Sequence, residues 1–195
     1  MIFAASASYA QARIWLDERI RFHPEKPQVA IYNMPFLYRL SSPHTLFVTQ
    51  LHQALQQILM KHQSLCTSII FDTEMNQLMQ KIIDLNHNNN NKLFTFIEST
   101  FETDEQLNSI MHDEKGNSQL FNLAQGLVFR CHLVYYKQIS SHDNLSDKDA
   151  LVFNFHHALF DFPSMHIFLH DLNQAYTTAQ LTTNDSTTLR YLDCK

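Results

Sequence analysis

Apolar residues recur along this 195-residue chain with two periods, one near that of a helix and one near that of a strand, and the switching between them lays out the elements. Between residues 43 and 62, Leu46, Phe47, Leu51, Leu55, Ile58 and Leu59 return at helical spacing, which predicts an amphipathic helix. Residues 163–179 predict another, opened by Pro163, with Met165, Phe168, Leu169, Leu172 and Tyr176 facing inward. A third is expected over residues 8–22, with Ser8 as its N-cap and Pro24 closing the run. A fourth starts at Thr103-Asp104-Glu105 and runs to about residue 113, with Leu107, Ile110 and Met111 on one face.

Strands fill the intervals. Residues 29–40 are rich in aromatic and aliphatic side chains, and Pro35 places that strand at a sheet edge or a bulge. Residues 68–71 and 78–83 read as a hairpin across the polar turn 72–76. Residues 93–97, 127–136 and 150–155 are further strands, the last two joined by a polar loop, and the Asn-rich run 86–91 is a solvated loop. Strands and helices alternate without a fixed period, so the expected class is α/β (α+β) in a layered sandwich.

Composition narrows the function. A net charge of −5 with scattered basic residues leaves no electrostatic footprint for nucleic acid or an anionic membrane surface. No apolar run approaches the roughly 20 residues of a membrane span. The N-terminus has no basic segment before its short apolar stretch, so no signal peptide is expected. Cys66, Cys131 and Cys194 are far apart and odd in number, which suits a reducing, cytoplasmic compartment. With Gly116 and Gly126 as the only glycines, a Gly-rich phosphate-binding loop or dinucleotide fingerprint is excluded.

The candidate chemistry lies at 155–164, where His156 and His157 end an apolar strand, Asp161 follows four residues later and Pro163 opens a helix. Imidazole is the side chain best suited to moving protons near neutral pH. Such a pair among twelve histidines is equally a packing feature, and adjacent strand residues point to opposite faces, which disfavours chelation of one metal ion. The same geometry separates their tasks: one ring faces the reaction space while the other packs beneath it. Asp161 either fixes the loop or orients a ring. His166 and His170, at i and i+4 on the last helix, read as a solvated face.

The segment Asn154 to Asp161, with its His156-His157 and Asp161, resembles the HHxxxDG core of condensation domains from nonribosomal peptide synthetases, in the chloramphenicol-acetyltransferase-like superfamily. Other stretches match in the family's order. Ser8 to Trp15 resembles SxAQxRxW, and Tyr32 to Leu40 the strand that follows it. Lys61 to Ser68 is similar to RHExLRT, Phe121 to Leu127 to FDLxxGP, and Arg190 to Cys194 to the start of QYxDYA.

The resemblance implies a two-lobed enzyme with its active site in a tunnel between the lobes. Residues 1–195 correspond to the N-terminal lobe alone, which implies a missing C-terminal lobe in cis or in trans. Partner peptidyl or acyl carrier protein domains deliver thioester-linked substrates on phosphopantetheine arms, and no cofactor or metal is implied. His157 matches the catalytic histidine, as base or positioner of the acceptor amine. His156 and Asp161 match motif positions with structural roles.

Three departures stand out. Phe162 occupies the motif's glycine position, where a bulky side chain resists backbone that glycine permits. Lys61, Gln63 and Cys66 replace Arg, Glu and Arg, so charge pairs at those places are expected to be lost or altered, with Arg13 as a candidate partner for Asp161. A lone first lobe also exposes a large apolar interface. Two other readings stay open: a coenzyme-A-dependent acyltransferase of the same superfamily, and a truncated, non-catalytic interaction module.

Overall fold

In the computed structural model, which describes residues 4–21, 29–83 and 94–181, the chain forms nine strands and four α-helices among the described residues. In order they are β1 (Ala4–Ser6), α1 (Tyr9–Arg21), β2 (Asn33–Tyr38), β3 (Leu46–Phe47), α2 (Val48–Lys61), β4 (Thr67–Asp72), β5 (Gln77–Ile82), β6 (Thr95–Phe101), α3 (Asp104–Gly116), β7 (Phe129–Tyr136), β8 (Asn144–Leu145), β9 (Ala150–His156) and α4 (Ser164–Thr178). The Asn-rich run 86–91, Pro24 and the segment 190–194 lie outside the described residues.

The central sheet has the order β2-β9-β7-β6, antiparallel except for the β6–β7 pair. β6 and β7 are connected through α3, the crossover that a parallel pair requires. All seven residues of β9 are buried, because helices cover both faces of this inner strand. Leu151, Phe153 and Phe155 join Phe129, Leu133, Leu55, Ile58, Phe168 and Leu172 in the main core under α2 and α4. Ala150 and Val152 face the other way, packing with Phe101, Leu107 and Val134 under α3. This is the expected layered α/β sandwich.

Pro35 lies on β2, and β2 is an edge strand, where a missing N–H costs no ladder bond. The 67–72 and 77–82 hairpin forms as expected, with Asn76 in the left-handed region of its turn. β1 joins that hairpin to make a three-stranded sheet. α1 starts with a capping box: the Gln11 N–H donates to Ser8 Oγ at 3.2 Å, and the Ser8 N–H donates to Gln11 Oε1 at 2.7 Å. α3 is capped by Thr103, whose side chain accepts from the Gln106 N–H.

The helix expected over 43–62 begins only at Val48, because Leu46 and Phe47 are extended and pair with Asn144 and Leu145. Asp143 supplies the cap. Its carbonyl accepts the Val48 N–H at 2.9 Å, and its carboxylate accepts the Thr49 N–H at 3.2 Å and hydroxyl at 2.6 Å. A carboxylate there also meets the positive end of the helix dipole. A partner 94 residues away decides this boundary, so local periodicity misplaces it.

Asp171, buried on α4, ties that helix to the end of α2: Lys61 Nζ lies 2.8 Å and His62 Nε2 2.6 Å from its Oδ2. Burial pushes the Asp171 carboxyl up, but the hydrogen bonds from Lys61, His62 and His170 outweigh it and hold the group below its ordinary value.

Candidate active site

The sheet delivers both motif histidines to one corner of the molecule. His156 is the last residue of β9 and opposes Asn33 of β2, while His157 begins the turn that leads to α4. The two rings part as the alternation of a strand requires. His156 is buried at 3% exposure, beside the rings of Phe121 and Tyr32, whereas His157 is exposed. The backbone is held from both sides, with the His156 N–H donating to Val128 O and the His157 N–H to Tyr32 O, each at 2.9 Å.

Hydrogen-bond partners define each ring. His156 Nε2 is 2.9 Å from Glu18 Oε1 on α1, and its Nδ1 accepts from the Ala158 N–H at 3.2 Å. His157 Nδ1 lies 3.0 Å from the Phe160 carbonyl oxygen. A carbonyl only accepts, so Nδ1 carries a hydrogen, and in the neutral ring Nε2 is the bare nitrogen. The rings are committed to different partners, and no shared hydrogen-bond partner joins them among the described residues.

Asp161 is exposed and orients no ring. Its Oδ1 accepts the Ser164 N–H at 3.0 Å and the Ser164 hydroxyl, and so fixes the loop where α4 starts, two residues before its N-cap Pro163. Arg13 does not supply the partner expected for Asp161: its charge acts on Asp17, whose carboxyl is held below its ordinary value first by the hydrogen bonds from Arg21 and Tyr32. Among the described residues the partner of Asp161 is Ser164.

Phe162 is accommodated. The non-glycine residues with positive φ among those described are Asn76, Lys137, Asp143 and Ala179, so Phe162 avoids the left-handed strain that its place in the motif suggested. Its ring is 73% exposed and lies 5.8 Å from that of Phe36 on the edge strand. The other departures divide. Lys61 keeps a charge pair, with Asp171. Cys66 is a buried neutral thiol that donates to Leu59 O, and burial pushes it up to about 12. Gln63 leaves Oε1 buried without a hydrogen-bond partner. His166 and His170 sit on the exposed face of α4, as expected.

A cleft of about 890 Å³ opens beside the buried member of the pair. Trp15, Glu18, Arg19, Phe71, Phe121 and His156 are among its lining residues, and His157 is not. Trp15 stacks on Phe71 with centroids 5.9 Å apart and carries the Arg19 guanidinium 4.0 Å above its ring.

Two features escaped sequence reasoning. One is Glu18: it follows the buried Gln11 and Ile14 at i+7 and i+4, and a carboxylate on the inward face of a helix is the signal that marks it. The other is Glu114, at 1% exposure under the sheet. Its Oε1 accepts from Arg130 Nε at 2.9 Å and from His132 Nδ1 at 2.7 Å, and its Oε2 accepts from Asn154 Nδ2 at 2.8 Å. Desolvation pushes the Glu114 carboxyl up, but the bonds from His132, Asn154 and Arg130 prevail and hold it below its ordinary value.

Comparison with known proteins agrees with this architecture. The Condensation domain family model matches residues 4–193, and the chain belongs to that family. It is 25% identical over 193 residues to the hybrid PKS-NRPS synthetase apdA of Emericella nidulans, and 28% identical over 179 residues to the fusarin C synthetase of Gibberella fujikuroi. These alignments cover 99% and 89% of the chain, which spans 4% of the length of each relative. Among solved structures, a holo four-domain nonribosomal peptide synthetase bound to AMP and glycine superposes with a TM-score of 0.65 at 19% identity, over 90% of this chain and 12% of that one. The epimerization domain from the third module of tyrocidine synthetase B gives 0.63 at 17% identity, covering 91% and 36%. The starter condensation domain of rhizomide synthetase gives 0.61 at 16% identity, covering 91% and 38%. Condensation and epimerization domains thus share this fold, and the fold alone does not choose the reaction. No helix among the described residues is long and apolar enough to cross a membrane.

Proposed function

We propose that this chain is the N-terminal lobe of a condensation domain that forms amide bonds between carrier-bound thioesters, with His157 as the base or positioner of the acceptor amine. The observation that carries the reading is the exposed His157 ring, anchored at Nδ1 by Phe160 O and bare at Nε2 among the described residues. Membership of the Condensation family and the likeness to synthetases support it.

In the proposed reaction the acceptor amine attacks the donor thioester carbonyl. The C–N bond forms and the C–S bond breaks, and His157 Nε2 takes the proton that the amine gives up and returns it to the leaving thiolate. Carrier protein domains present both substrates on phosphopantetheine arms, and a second lobe, in cis or in trans, supplies the far wall of the tunnel. His156 and Asp161 hold the turn.

The test uses the full protein that contains this chain, with donor and acceptor loaded on their carriers and the product followed by mass spectrometry. His157→Ala is expected to lower turnover at least about a hundredfold. Undiminished product would remove His157 from the mechanism. Acyl transfer from coenzyme A to an alcohol, with no carrier-bound donor, would assign the acyltransferase chemistry instead.

A further inference from the structure

Glu18 lies on α1, outside the histidine motif, yet it is placed to control it. α1 is fixed by its capping box and by Gln11, whose Nε2 donates to Gln80 Oε1 on β5 at 3.1 Å. Two turns after Gln11, Glu18 presents Oε1 2.9 Å from His156 Nε2. A carboxylate accepts, so Nε2 bears the hydrogen. The Ala158 N–H can only donate, so Nδ1 is bare. Acceptor at one end and donor at the other hold His156 in its Nε2–H tautomer.

The bond to Ala158 reaches the neighbouring histidine. Ala158 is the second residue of the turn 157–159, closed by Leu159 N–H donating to His156 O at 3.1 Å. That turn brings the Phe160 carbonyl back to His157 Nδ1. The two adjacent histidines therefore stand in opposite tautomers, His156 as Nε2–H and His157 as Nδ1–H. The hydrogen bonds run from Glu18 through the His156 ring and the Ala158 amide into the turn that holds His157.

We infer that Glu18 is a positioning residue for His157, acting through the tautomer of His156; the inference rests on the reading of His157 as the group that meets the amine. Without Glu18 the Nε2–H of the buried His156 loses its acceptor, and the ring relieves that cost by moving its hydrogen to Nδ1, against the Ala158 N–H. Two donors then face each other at a buried amide, and the turn relieves the conflict by moving, which detaches Phe160 O from His157. The displaced ring no longer offers Nε2 in place.

The deciding experiment is long-range proton–nitrogen NMR of the full chain with labelled histidines at about pH 8.5, where an unperturbed imidazole is neutral. The wild type is expected to show His156 as Nε2–H and His157 as Nδ1–H. Glu18→Gln keeps an acceptor and preserves both signatures. Glu18→Met removes it, and His157 becomes a mixture of tautomers. Glu18→Asp, which withdraws the carboxylate by one methylene, gives the same result should the Met variant fail to fold.

In the carrier-bound assay, Glu18→Met or Glu18→Asp is expected to lower kcat about ten- to a hundredfold with KM little changed, and Glu18→Gln to stay within about twofold. An Nε2–H signature for wild-type His157 overturns the inference. So does a His157 signature indifferent to the loss of Glu18. If His157→Ala retains activity while Glu18 variants still shift the His157 tautomer, the functional reading fails and the positioning stands; the reverse pattern separates them the other way.

Discussion

Among the described residues two glutamate–histidine pairs lie on this fold, and they teach different things. Glu114 and His132 meet at 2.7 Å beneath the sheet, and Glu18 and His156 meet at 2.9 Å at its edge. The contacts are nearly the same. What differs is the other nitrogen of each imidazole. His132 turns its Nε2 to Ser99 Oγ at 2.7 Å, and Arg130 and Asn154 complete the carboxylate, so both nitrogens of that ring are held within the fold. His156 turns its Nδ1 to the amide of a turn that carries an exposed second histidine. The first pair serves the packing of α3 on the sheet, and the second reaches the site.

The sharpest way to break this comparison is to remove each carboxylate. Glu114→Ala leaves the half-buried Arg130 without its partner carboxylate and the buried His132 and Asn154 without their acceptor, and is expected to destabilise the fold by about 3–5 kcal/mol, read from the denaturation midpoint in urea. A loss below about 1 kcal/mol would show that the network contributes no more than a surface pair. Acid should act in the same direction. Glu114 and Asp171 both have folded values below their ordinary ones, so their contribution is complete above the ordinary carboxylate range. It is lost as pH falls below about 4 and through the folded values. Glu114→Gln should flatten that acid limb, measured as midpoint against pH.

Smaller effects belong to the site. Asp161→Ala removes the side-chain acceptor of Ser164 at the start of α4 and should cost about 1 kcal/mol, with the loss seen as faster amide exchange at Ser164. His157→Ala should change stability by no more than about 0.5 kcal/mol, because the ring is exposed. A large loss there would mean that His157 holds the turn rather than being held by it.

The fold was legible where the signal is local. α4 and the 67–82 hairpin follow directly from apolar spacing and turn residues, and the edge position of β2 is one of the two places that Pro35 allowed. The start of α2 was not legible, since Asp143 caps it from the far side of the chain. At the site, opposite orientations for His156 and His157 follow from the strand period. The task of Asp161 did not, because an aspartate beside a turn serves equally to fix the loop or to orient a ring until Ser164 is seen to donate to it.

Periodicity and the ordered motifs therefore determined by themselves the layered α/β class, the family and the corner where the histidines lie. Only the tertiary structure decided the polar partners. Glu18 is 138 residues from His156 in the chain, and Lys61 and Asp171 come from different helices. Apolar burial is non-directional and follows from residue type and spacing, so it can be read from a line of letters. A hydrogen bond needs one donor and one acceptor within about 3 Å and in line, and folding alone brings distant residues to that distance.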